Sequence, residues 1–373
     1  MKKRIVVAVT NDMLTDQRVN RICTSLVSEG VEVTVAARKL PSSKAITDRP
    51  YTVIQFKLLF TKGVAFYASY NVRLFFYLLF QKLDGITSND LDTLAACKLA
   101  ASIKRVPLVY DSHEYYTEVP ELVNRKQVQR IWERIEKWGM KRLQHTSTVC
   151  QSIADIYEQK YGVNMKVIRN VPFRITTDNV GYTIQSKLSE EKRIIIYQGA
   201  LNIGRGIEKV LAALPYLDNV LFVVAGTGDI ETELKQKTIA QKLTDKVLFT
   251  GRLTYTELRT FTIQAHLGIS LEENMGLNYY YSLPNKLFDY IQCSVPVLCS
   301  AFPETSRIIN QYSIGETTLE QNPEKLARII DEMLTNQNKR AEWITNCKLA
   351  ANELCWEKEV EILKTLYRSA GIL

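Results

Sequence analysis

The sequence lacks the features that mark several classes of protein. Its three histidines lie far apart and beside no cysteine cluster, so a zinc site is not expected. Its seven cysteines form no C-x-x-C pair, and most sit in apolar runs, which indicates buried thiols in a reducing compartment. No apolar stretch approaches the roughly 20 residues that span a membrane, and the first run, Ile5–Val9, ends too early for a signal peptide. These absences favour a cytoplasmic protein with no bound metal or other cofactor.

Positive charge is unevenly distributed along the 373 residues. Residues 1–170 contain 26 Lys and Arg and 16 Asp and Glu, a net charge of +10, whereas residues 171–373 contain 22 and 24, a net charge of −2. A basic half can contact nucleic acid, anionic lipid or an acidic small molecule, or can be a solvated face. Nucleic acid is the least favoured partner, because the sequence contains no recognised binding module and no aromatic-and-basic stacking pattern.

Short apolar segments alternate with helical patterns over most of the chain. In the first half the predicted strands are Ile5–Val9, Val31–Ala36, Thr52–Phe56, Gly85–Thr87, Leu108–Tyr110, Thr146–Cys150 and Lys166–Ile168, and the predicted helices are Asp16–Glu29, Leu91–Ile103, Lys126–Leu143 and Ser152–Lys160. After a polar segment the alternation restarts, with strands at Arg193–Gln198, Val220–Ala225, Lys246–Phe249, Leu267–Leu271 and Val295–Cys299, followed by helices to the end. Such alternation is typical of βαβ units with a parallel sheet.

We therefore predict an α/β protein with two doubly wound Rossmann-like domains facing each other across a cleft. The predicted first domain is 1–170, the linker 171–192 and the second domain 193–355. The sequence permits the last helical stretch, 356–373, to pack back on the first domain. In such sheets ligands bind beyond the carboxyl ends of the strands, which places the expected site in the cleft.

The segment Phe56–Phe80 is unusually apolar and aromatic, with Lys57, Lys62 and Arg73 interrupting it. One interpretation is an amphipathic surface that contacts an anionic membrane, as an enzyme with a lipid-linked acceptor would need. The other is a buried helix with an ordinary polar edge. The sequence alone leaves both open.

The residues 276–298 form the strongest motif, which reads as a loop, a helix and a buried strand. Ser282 is the predicted N-cap, and Pro284 suits the first turn. Free amides at the helix start, with Lys286 in the first turn, would bind a diphosphate. Asp289 lies on the same face of the helix, where its carboxylate would accept hydrogen bonds from ribose hydroxyls. Taken alone, the motif fits a helix cap with a surface Lys–Asp pair equally well.

This motif resembles the nucleotide-sugar signature of glycosyltransferase family 4, the retaining enzymes of the GT-B fold, which commonly reads P-x-K-x-x-E-Y-x-x-x-G-x-P-V. Lys286, Asp289, Tyr290, Pro296 and Val297 match its spacing. Asp289 stands where the family has a glutamate that binds the donor ribose. Tyr281 stands where the family has a first glutamate, so Glu272 or Glu273 from the preceding loop is the expected substitute.

Two glycine-containing turns extend the resemblance. Residues 197–209 are similar to the family's G-R-L…K-G loop, with Arg205 in place of the loop's lysine. The turns at Gly226 and Gly251-Arg252 are similar to the family's A-G-x-G and F-x-G turns. Together the resemblance implies a donor-binding set of Gly199, Gly204, Gly206, Gly226, Arg252, Glu273, Ser282, Asn285 and Asp289.

In the first half the match to the family is more generic. Asp16 and Arg18 belong to a D-x-R-V opening, and His113 and Glu114 follow a predicted strand. The resemblance places Asp16, Arg18 and Glu114 on the acceptor side and His113 beside the donor sugar. Asp90 and Asp92 form a D-x-D, but we read Asp90 as a helix N-cap and expect no metal there.

The resemblance implies transfer of a sugar, with retention and without metal, from a nucleotide-sugar to a glycan or lipid-linked acceptor. Arg205 and Lys286, with His113, form the expected catalytic set, and the departing phosphate takes the acceptor proton. Two rivals remain: a nucleotide-sugar 2-epimerase of the same fold, and a non-catalytic nucleotide-sugar-binding protein, which the Tyr281 departure favours. A nicotinamide dehydrogenase is disfavoured, because no G-x-G-x-x-G follows the first strand.

Overall fold

The computed structural model describes residues 2–13, 16–40, 43, 46, 48–175 and 191–373. The chain separates into two compact units, the first comprising Met1–Asn170 with Glu359–Leu373 and the second Val171–Lys358. Most of the predicted linker, residues 176–190, lies outside the described residues. No helix within the described ranges is long and apolar enough to cross a membrane.

The first unit is built on a seven-stranded sheet. Its strands are β1 (Arg4–Ala8), β2 (Glu32–Lys39), β3 (Thr52–Lys57), β4 (Gly85–Asn89), β5 (Leu108–Ser112), β6 (His145–Thr148) and β7 (Lys166–Val167). They are ordered β3-β2-β1-β4-β5-β6-β7, and every neighbouring pair is parallel. The strand order reverses between β1 and β4, so the loops that leave these two strands diverge and open a crevice at their carboxyl ends.

The helices of the first unit are α1 (Gln17–Ser28), α2 (Gly63–Phe80), α3 (Leu91–Lys104), α4 (Pro120–Val123), α5 (Lys126–Met140) and α6 (Gln151–Tyr161). Helix α2 buries Phe66, Tyr70, Leu74 and Leu78 in a core shared with strand residues such as Ile86. The Tyr70 hydroxyl lies 2.8 Å from the carbonyl oxygen of Val9 and 2.9 Å from that of Ala36. These contacts fix α2 beside the carboxyl end of β1 and the middle of β2.

The second unit repeats the design with six strands. They are β8 (Arg193–Gln198), β9 (Val220–Ala225), β10 (Val247–Gly251), β11 (Leu267–Ser270), β12 (Val297–Ser300) and β13 (Gly315–Thr318). The order is β10-β9-β8-β11-β12-β13, and all neighbours are parallel. Here the reversal lies between β8 and β11, which opens the equivalent crevice.

The helices of the second unit are α7 (Ile207–Ala213), α8 (Glu231–Ala240), α9 (Tyr255–Thr262), α10 (Leu277–Tyr280), α11 (Asn285–Gln292), α12 (Pro303–Tyr312), α13 (Pro323–Thr335) and α14 (Gln337–Glu353). Strand residues such as Ile195, Phe222 and Val224 form its core with Val210 of α7 and Ile330 of α13. The central strands β8 and β9 are largely apolar because a parallel sheet is covered on both faces.

The predicted α/β architecture with two doubly wound parallel sheets is confirmed, and two local predictions are wrong. The segment Gly315–Thr318 was expected to be helical but is the edge strand β13, whose β-branched threonines suit a sheet. Ser282 does not cap α11: that helix begins at Asn285 with Pro284 at the N-cap position, and the Ser282 hydroxyl donates to the carbonyl of Tyr279. Ser282 therefore ends α10 instead of starting α11.

The final helix, α15 (Trp356–Ser369), enters the first unit at Glu359. The Glu359 side chain is fully buried, and its carboxylate accepts hydrogen bonds from Arg169 Nε at 2.6 Å and from the Arg169 backbone at 2.8 Å. Further along, the Tyr367 hydroxyl lies 2.8 Å from the hydroxyl of Thr87 on β4, and Lys364 pairs with Glu29. The helix is thus attached to the first unit by polar contacts as well as by its apolar face.

We predict that Glu359→Ala lowers the free energy of unfolding of the first unit by about 3 kcal/mol, because it leaves the Arg169 guanidinium without its buried carboxylate. Urea denaturation measures this loss, because the midpoint and slope of the unfolding transition give the free energy of unfolding. The matched control is Glu361→Ala on the same helix, whose pair with Lys364 at the surface contributes little to stability. Equal losses in the two variants would contradict the structural role of Glu359.

Candidate functional site

A cavity of about 350 Å³ lies in the second unit at the crevice beside β8. It is formed by the end of β8, the loop that follows it and the start of α11. Its lining residues are Tyr197, Gln198, Gly199, Ala200, Arg205, Leu258, Leu283, Pro284, Asn285, Lys286 and Asp289. Five residues of the predicted donor and catalytic sets are therefore brought together here: Gly199, Arg205, Asn285, Lys286 and Asp289.

Lys286 is a buried cation at the base of this cavity. Its ammonium donates to Glu272 Oε1 at 2.7 Å and lies 4.2 Å from the centroid of the Tyr197 ring. Burial acts to lower the pKa of Lys286, but the Glu272 carboxylate outweighs it and the pKa lies above its usual value. Burial likewise acts to raise the pKa of Glu272, yet Lys286 holds that pKa below its usual value. Both groups are therefore charged at neutral pH.

Arg205 provides a second cation to the same cavity. Its guanidinium packs 4.8 Å from the centroid of the Tyr279 ring, and its charge acts on both Glu272 and Lys286. The buried Nε of Arg205 has no hydrogen-bond partner among the described residues. Two cations thus share one buried carboxylate, so this side of the cavity keeps a net positive charge that suits an anionic ligand.

Asp289 lines the cavity one helical turn beyond Lys286. Its Oδ2 accepts a hydrogen bond from Gln198 Nε2 at 2.9 Å, and the Gln198 Oε1 accepts one from the Thr262 hydroxyl at 2.9 Å. Gln198 therefore orients the carboxylate from the end of β8. Sequence reasoning missed Gln198, although its place at the carboxyl end of a buried strand was a usable signal.

Tyr290 anchors α11 to the sheet. Its fully buried hydroxyl lies 3.2 Å from the carbonyl oxygens of Ile196 on β8 and Ile269 on β11. Pro284 provides no side-chain cap, so the first backbone amides of α11 keep their donors available at the cavity. The start of α11 thus adds positive partial charge beside Lys286.

Two glycines allow the loops around the cavity to pack closely. A Cβ at Gly206 would lie 2.0 Å from the Leu271 carbonyl oxygen, and one at Gly226 would lie 1.9 Å from that of Gly199. Both residues also have positive φ. Gly206 and Gly226 are therefore required by the backbone, and neither lines the cavity.

The other predicted donor residues of the second unit lie outside this cavity. Glu273 is paired with Lys209 at 3.6 Å and lines a smaller neighbouring cavity of about 180 Å³ with Glu272. Gly204 packs against Met275, and Arg252 is exposed. Of the two glutamates expected to replace the missing first glutamate, Glu272 contacts Lys286. A ligand contact by Glu273, Gly204, Arg252 or Ser282 stays a prediction.

In the first unit, His113 belongs to a buried polar cluster. Asp111 accepts hydrogen bonds from Arg18 Nε at 2.9 Å and from a terminal Arg18 nitrogen at 2.7 Å. His113 Nε2 lies 3.0 Å from Asp111 Oδ2, and Nδ1 lies 3.3 Å from Asp90 Oδ2. Two carboxylates thus face one guanidinium and one imidazole, which balances the charge when His113 is protonated.

The pKa shifts in this cluster follow from that arrangement. Burial acts to lower the pKa of His113, but Asp90 and Asp111 outweigh it and raise the pKa to about 9. Burial acts to raise the pKa of Asp111, but Arg18 and His113 hold it well below its usual range. His113 is therefore an imidazolium at neutral pH and is unsuited to act as a general base.

The remaining predicted residues of the first unit have diverse positions. Asp16 is the N-cap of α1 and accepts from the Val19 amide at 3.0 Å. Arg18 is buried against Asp111 and the Ile168 carbonyl, so it supports the polar cluster. Asp90 stands at the N-cap position of α3, but its carboxylate accepts from the His113 amide instead of capping the helix. Acceptor contacts by Asp16, Arg18 and Glu114 stay predictions.

A larger cavity of about 740 Å³ lies within the first unit, and Glu114 is among its lining residues. It occupies the crevice at the carboxyl ends of β1 and β4, where Thr10 and Asp92 are found, and extends between α2 and α5. Each unit therefore has a cavity where its strand order reverses.

Comparisons with known proteins agree with this architecture. Residues 16–172 match the family model described as Glycosyltransferase Family 4, and residues 182–349 match the model described as Glycosyl transferases group 1. The chain is 28% identical over 149 residues to the probable glycosyltransferase WbjE of Pseudomonas aeruginosa, a match that spans 38% of this chain and 36% of that protein.

Solved structures share the whole fold at low sequence identity. Sucrose-phosphate synthase from Thermosynechococcus elongatus has a TM-score of 0.78 and 16% identity, covering 99% of both chains. HepE from Anabaena, solved with UDP and glucose, has a TM-score of 0.75 and 15% identity, covering 100% of both chains. With family models matching both halves and this fold throughout, the chain belongs to the family 4-like glycosyltransferases of the GT-B fold.

Proposed function

We propose that this protein transfers a sugar from a nucleotide-sugar donor to a hydroxyl acceptor, with retention and without a metal ion. The observation that carries the proposal is the pairing of Arg205 and Lys286 at one cavity beside the start of α11. A diphosphate carries the charge and the acceptor atoms that such a site binds. The solved complexes of HepE with UDP and with UDP-glucose support a nucleotide-sugar as the donor class.

The two cations act on the leaving group. As the glycosidic bond to the donor phosphate breaks, negative charge grows on the departing diphosphate, and Arg205 and Lys286 stabilise it. Lys286 is charged before the ligand arrives because Glu272 holds its pKa above the usual value. The site is thus preorganised, and little reorganisation is needed during the reaction.

Asp289 binds the donor ribose in this proposal. Its carboxylate lines the cavity one helical turn from Lys286, with Gln198 fixing its orientation. A carboxylate accepts hydrogen bonds from two neighbouring hydroxyls, which suits a ribose. Asp289 therefore contributes to donor affinity more than to the chemical step.

Retention is proposed from the resemblance to the retaining family, and metal independence from the charges of the site. Arg205 and Lys286 together supply the positive charge that a divalent cation supplies elsewhere. Within the described residues no three His, Cys, Asp or Glu side chains are grouped to hold a metal ion. The departing phosphate accepts the proton of the acceptor hydroxyl in this proposal, as in the family that the chain resembles, and His113, an imidazolium at neutral pH, does not take part as a base.

The acceptor is a glycan or a lipid-linked glycan presented at an anionic membrane. Helix α2 is apolar on its exposed side as well as its buried one: Val64, Val72, Phe76 and Phe80 are all more than half exposed. The preceding loop exposes Leu59 and Phe60, and Lys57, Lys62 and Arg73 surround the patch. Exposed aromatic and aliphatic side chains ringed by cations suit a membrane surface with anionic lipids.

The first prediction concerns the donor class. One of UDP, GDP, ADP or CMP should raise the unfolding temperature by roughly 5 to 10 °C at about 100 times its dissociation constant, with or without EDTA. Lys286→Ala should lose this shift, and in turnover assays kcat should fall by about 10²- to 10³-fold. Lys235→Ala, which removes an exposed cation of α8, is the matched control.

If none of the four nucleotides raises the unfolding temperature, the donor site is contradicted. If EDTA abolishes the rise in unfolding temperature, metal independence is contradicted. Product analysis with the donor that binds separates transfer from 2-epimerisation. Binding without donor hydrolysis or transfer would favour a non-catalytic binding protein.

The second prediction concerns Asp289. Asp289→Ala should weaken binding of the selected nucleoside diphosphate by about 10- to 100-fold, because it removes a charged hydrogen-bond acceptor worth about 1.5 to 3 kcal/mol. Isothermal titration calorimetry measures the change, with Asp331→Asn on the exposed face of α13 as the control. Unchanged affinity in Asp289→Ala would remove this residue from the donor site.

The third prediction concerns the membrane. The protein should sediment with vesicles that contain phosphatidylglycerol, and the double variant Phe76→Glu/Phe80→Glu should bind them at least about tenfold more weakly. The control, Ile239→Glu/Leu349→Glu, changes two exposed apolar residues of the second unit and should bind as the unmodified protein does. The proposed patch would be contradicted if both double variants bound the vesicles equally weakly, or if binding did not depend on the anionic lipid content.

A further inference from the structure

A second cavity of the first unit collects positive charge that the proposed function does not use. It has a volume of about 670 Å³ and is lined by Leu108 and His145, the first residues of β5 and β6, together with the C-terminal parts of α3 and α5. We call it the basic cavity. Because it lies at the amino ends of the strands, it is separate from the crevice at their carboxyl ends.

Four cationic side chains line the basic cavity: Lys98, Arg105, Lys141 and Arg142. No Asp or Glu of the described ranges is among its lining residues. In the part of the chain that the structure describes, the side chains of Arg105, Lys141 and Arg142 have no hydrogen-bond or ion-pair partner. These three cations are therefore available to an anionic ligand.

Lys98 provides a fixed charge in the wall of the basic cavity. Its ammonium donates to the carbonyl oxygens of Trp138 at 3.0 Å, Gly139 at 2.7 Å and Lys141 at 2.6 Å. Burial lowers the pKa of Lys98, and the charges of Lys141 and Arg142 lower it further, so these like charges lie close together. Since Lys98 already complements the C-terminal end of α5, the other cations are not needed for that role.

Two of the cations stand on backbone that favours glycine. Arg105 has a φ of 56° and Arg142 a φ of 63°, both in the left-handed region. A side chain with a Cβ is disfavoured there relative to glycine. Both arginine side chains nevertheless line the basic cavity, so their presence is better explained by a ligand contact than by the stability of the fold.

Trp138 adds an aromatic surface to the basic cavity and a means of observing it. Its side chain is 43% exposed, and the Lys98 ammonium lies 5.2 Å from its ring centroid. The other three tryptophans, Trp132, Trp343 and Trp356, are at most 9% exposed. The fluorescence that a quencher in solution can reach therefore comes mainly from Trp138.

A phosphate group matches the basic cavity better than a carboxylate does. A phosphate monoester carries about two negative charges at neutral pH, and its three terminal oxygens accept hydrogen bonds from several directions. A carboxylate carries one charge, and its two oxygens lie in one plane. The volume of the cavity leaves room for atoms beyond the phosphate, which favours a phosphate ester.

We propose that the basic cavity binds a phosphate ester, with Arg105 and Arg142 donating hydrogen bonds to the phosphate oxygens and Lys141 adding positive charge. This site goes beyond the proposed transferase function and needs neither a donor nor an acceptor sugar. The same chemistry has two sources, a soluble phosphorylated molecule and the headgroup of an anionic lipid.

Acrylamide quenching of tryptophan fluorescence tests the proposal, because acrylamide is uncharged and reaches exposed rings. Inorganic phosphate and glycerol 1-phosphate are titrated, with acetate at matched ionic strength as the reference anion. A soluble phosphate ligand should protect Trp138 and lower the quenching constant, whereas acetate should not. Trp138→Phe should abolish the change, which assigns the signal to the basic cavity rather than to the second unit.

Vesicles that contain phosphatidic acid, compared with vesicles of phosphatidylcholine alone, identify the source of the phosphate. Protection of Trp138 by inorganic phosphate or glycerol 1-phosphate supports a soluble ligand. Protection by phosphatidic acid vesicles alone, lost when the two arginines are replaced, supports a lipid headgroup. Both results support a phosphate site in the basic cavity.

Arg105→Gly/Arg142→Gly should weaken binding of the protecting ligand by at least about tenfold, because two charged hydrogen-bond donors are lost. Glycine adopts a positive φ without strain, so this variant should fold, and thermal unfolding checks it. Lys141→Gln should also weaken binding and tests the proposal without a change at either left-handed position. The matched control, Arg130→Gln/Lys137→Gln, removes two exposed cations of α5 outside the cavity and should keep the affinity.

The proposal is overturned if neither soluble phosphate nor phosphatidic acid protects Trp138, or if acetate or phosphatidylcholine protects it equally. It is also overturned if the arginine double variant binds as tightly as the control variant does. None of these outcomes affects nucleoside diphosphate binding by the second unit, so the two proposals can fail separately.

Discussion

The cavity beside β8 depends on one buried ion pair, between Lys286 of α11 and Glu272, two residues after β11. An ammonium group taken out of water loses much solvation free energy, and it stays charged only if a carboxylate is held against it. Glu272 does this at 2.7 Å while the Tyr197 ring covers the ammonium. The Tyr290 hydroxyl then ties α11 to β8 and β11, so the three elements that build the pair cannot separate without breaking it.

The two units use the same sheet topology but distribute charge differently. In the first unit, Arg18 and protonated His113 face Asp90 and Asp111, so the cluster is balanced and turned inward. In the second unit, Arg205 and Lys286 share Glu272, and the Asp289 carboxylate lies one helical turn away in the same cavity. The cluster of the first unit is closed by its own hydrogen bonds, whereas Arg205 and Lys286 of the second unit both line a cavity. Cations that line a cavity attract an anionic ligand.

The fold and the convergence of Lys286 and Asp289 at one cavity could be predicted because their signals are local. Strands β1 to β12 coincide with predicted strand segments to within a few residues, and many of them could be recognised because a parallel strand buried on both faces is largely apolar. Lys286 and Asp289 were found because they sit three residues apart on one helix. Strand β13 was missed, since its half-buried Gly-Glu-Thr-Thr sequence has no apolar run. The Ser282 cap was misjudged because a serine near a proline also suits the end of the preceding helix.

The sequence by itself determined the alternation of strands and helices, the position of the nucleotide-sugar motif and the departure at Tyr281. Only the tertiary structure decided which distant residues meet. Glu272 rather than Glu273 reaches Lys286, Gln198 orients Asp289, and Arg18 supports Asp111 from 93 residues away. The physical reason is that helices and strands are recognised from side-chain patterns that repeat every few residues. Ion pairs and buried hydrogen bonds depend instead on how the strand ends and loops converge at the carboxyl edge of each sheet.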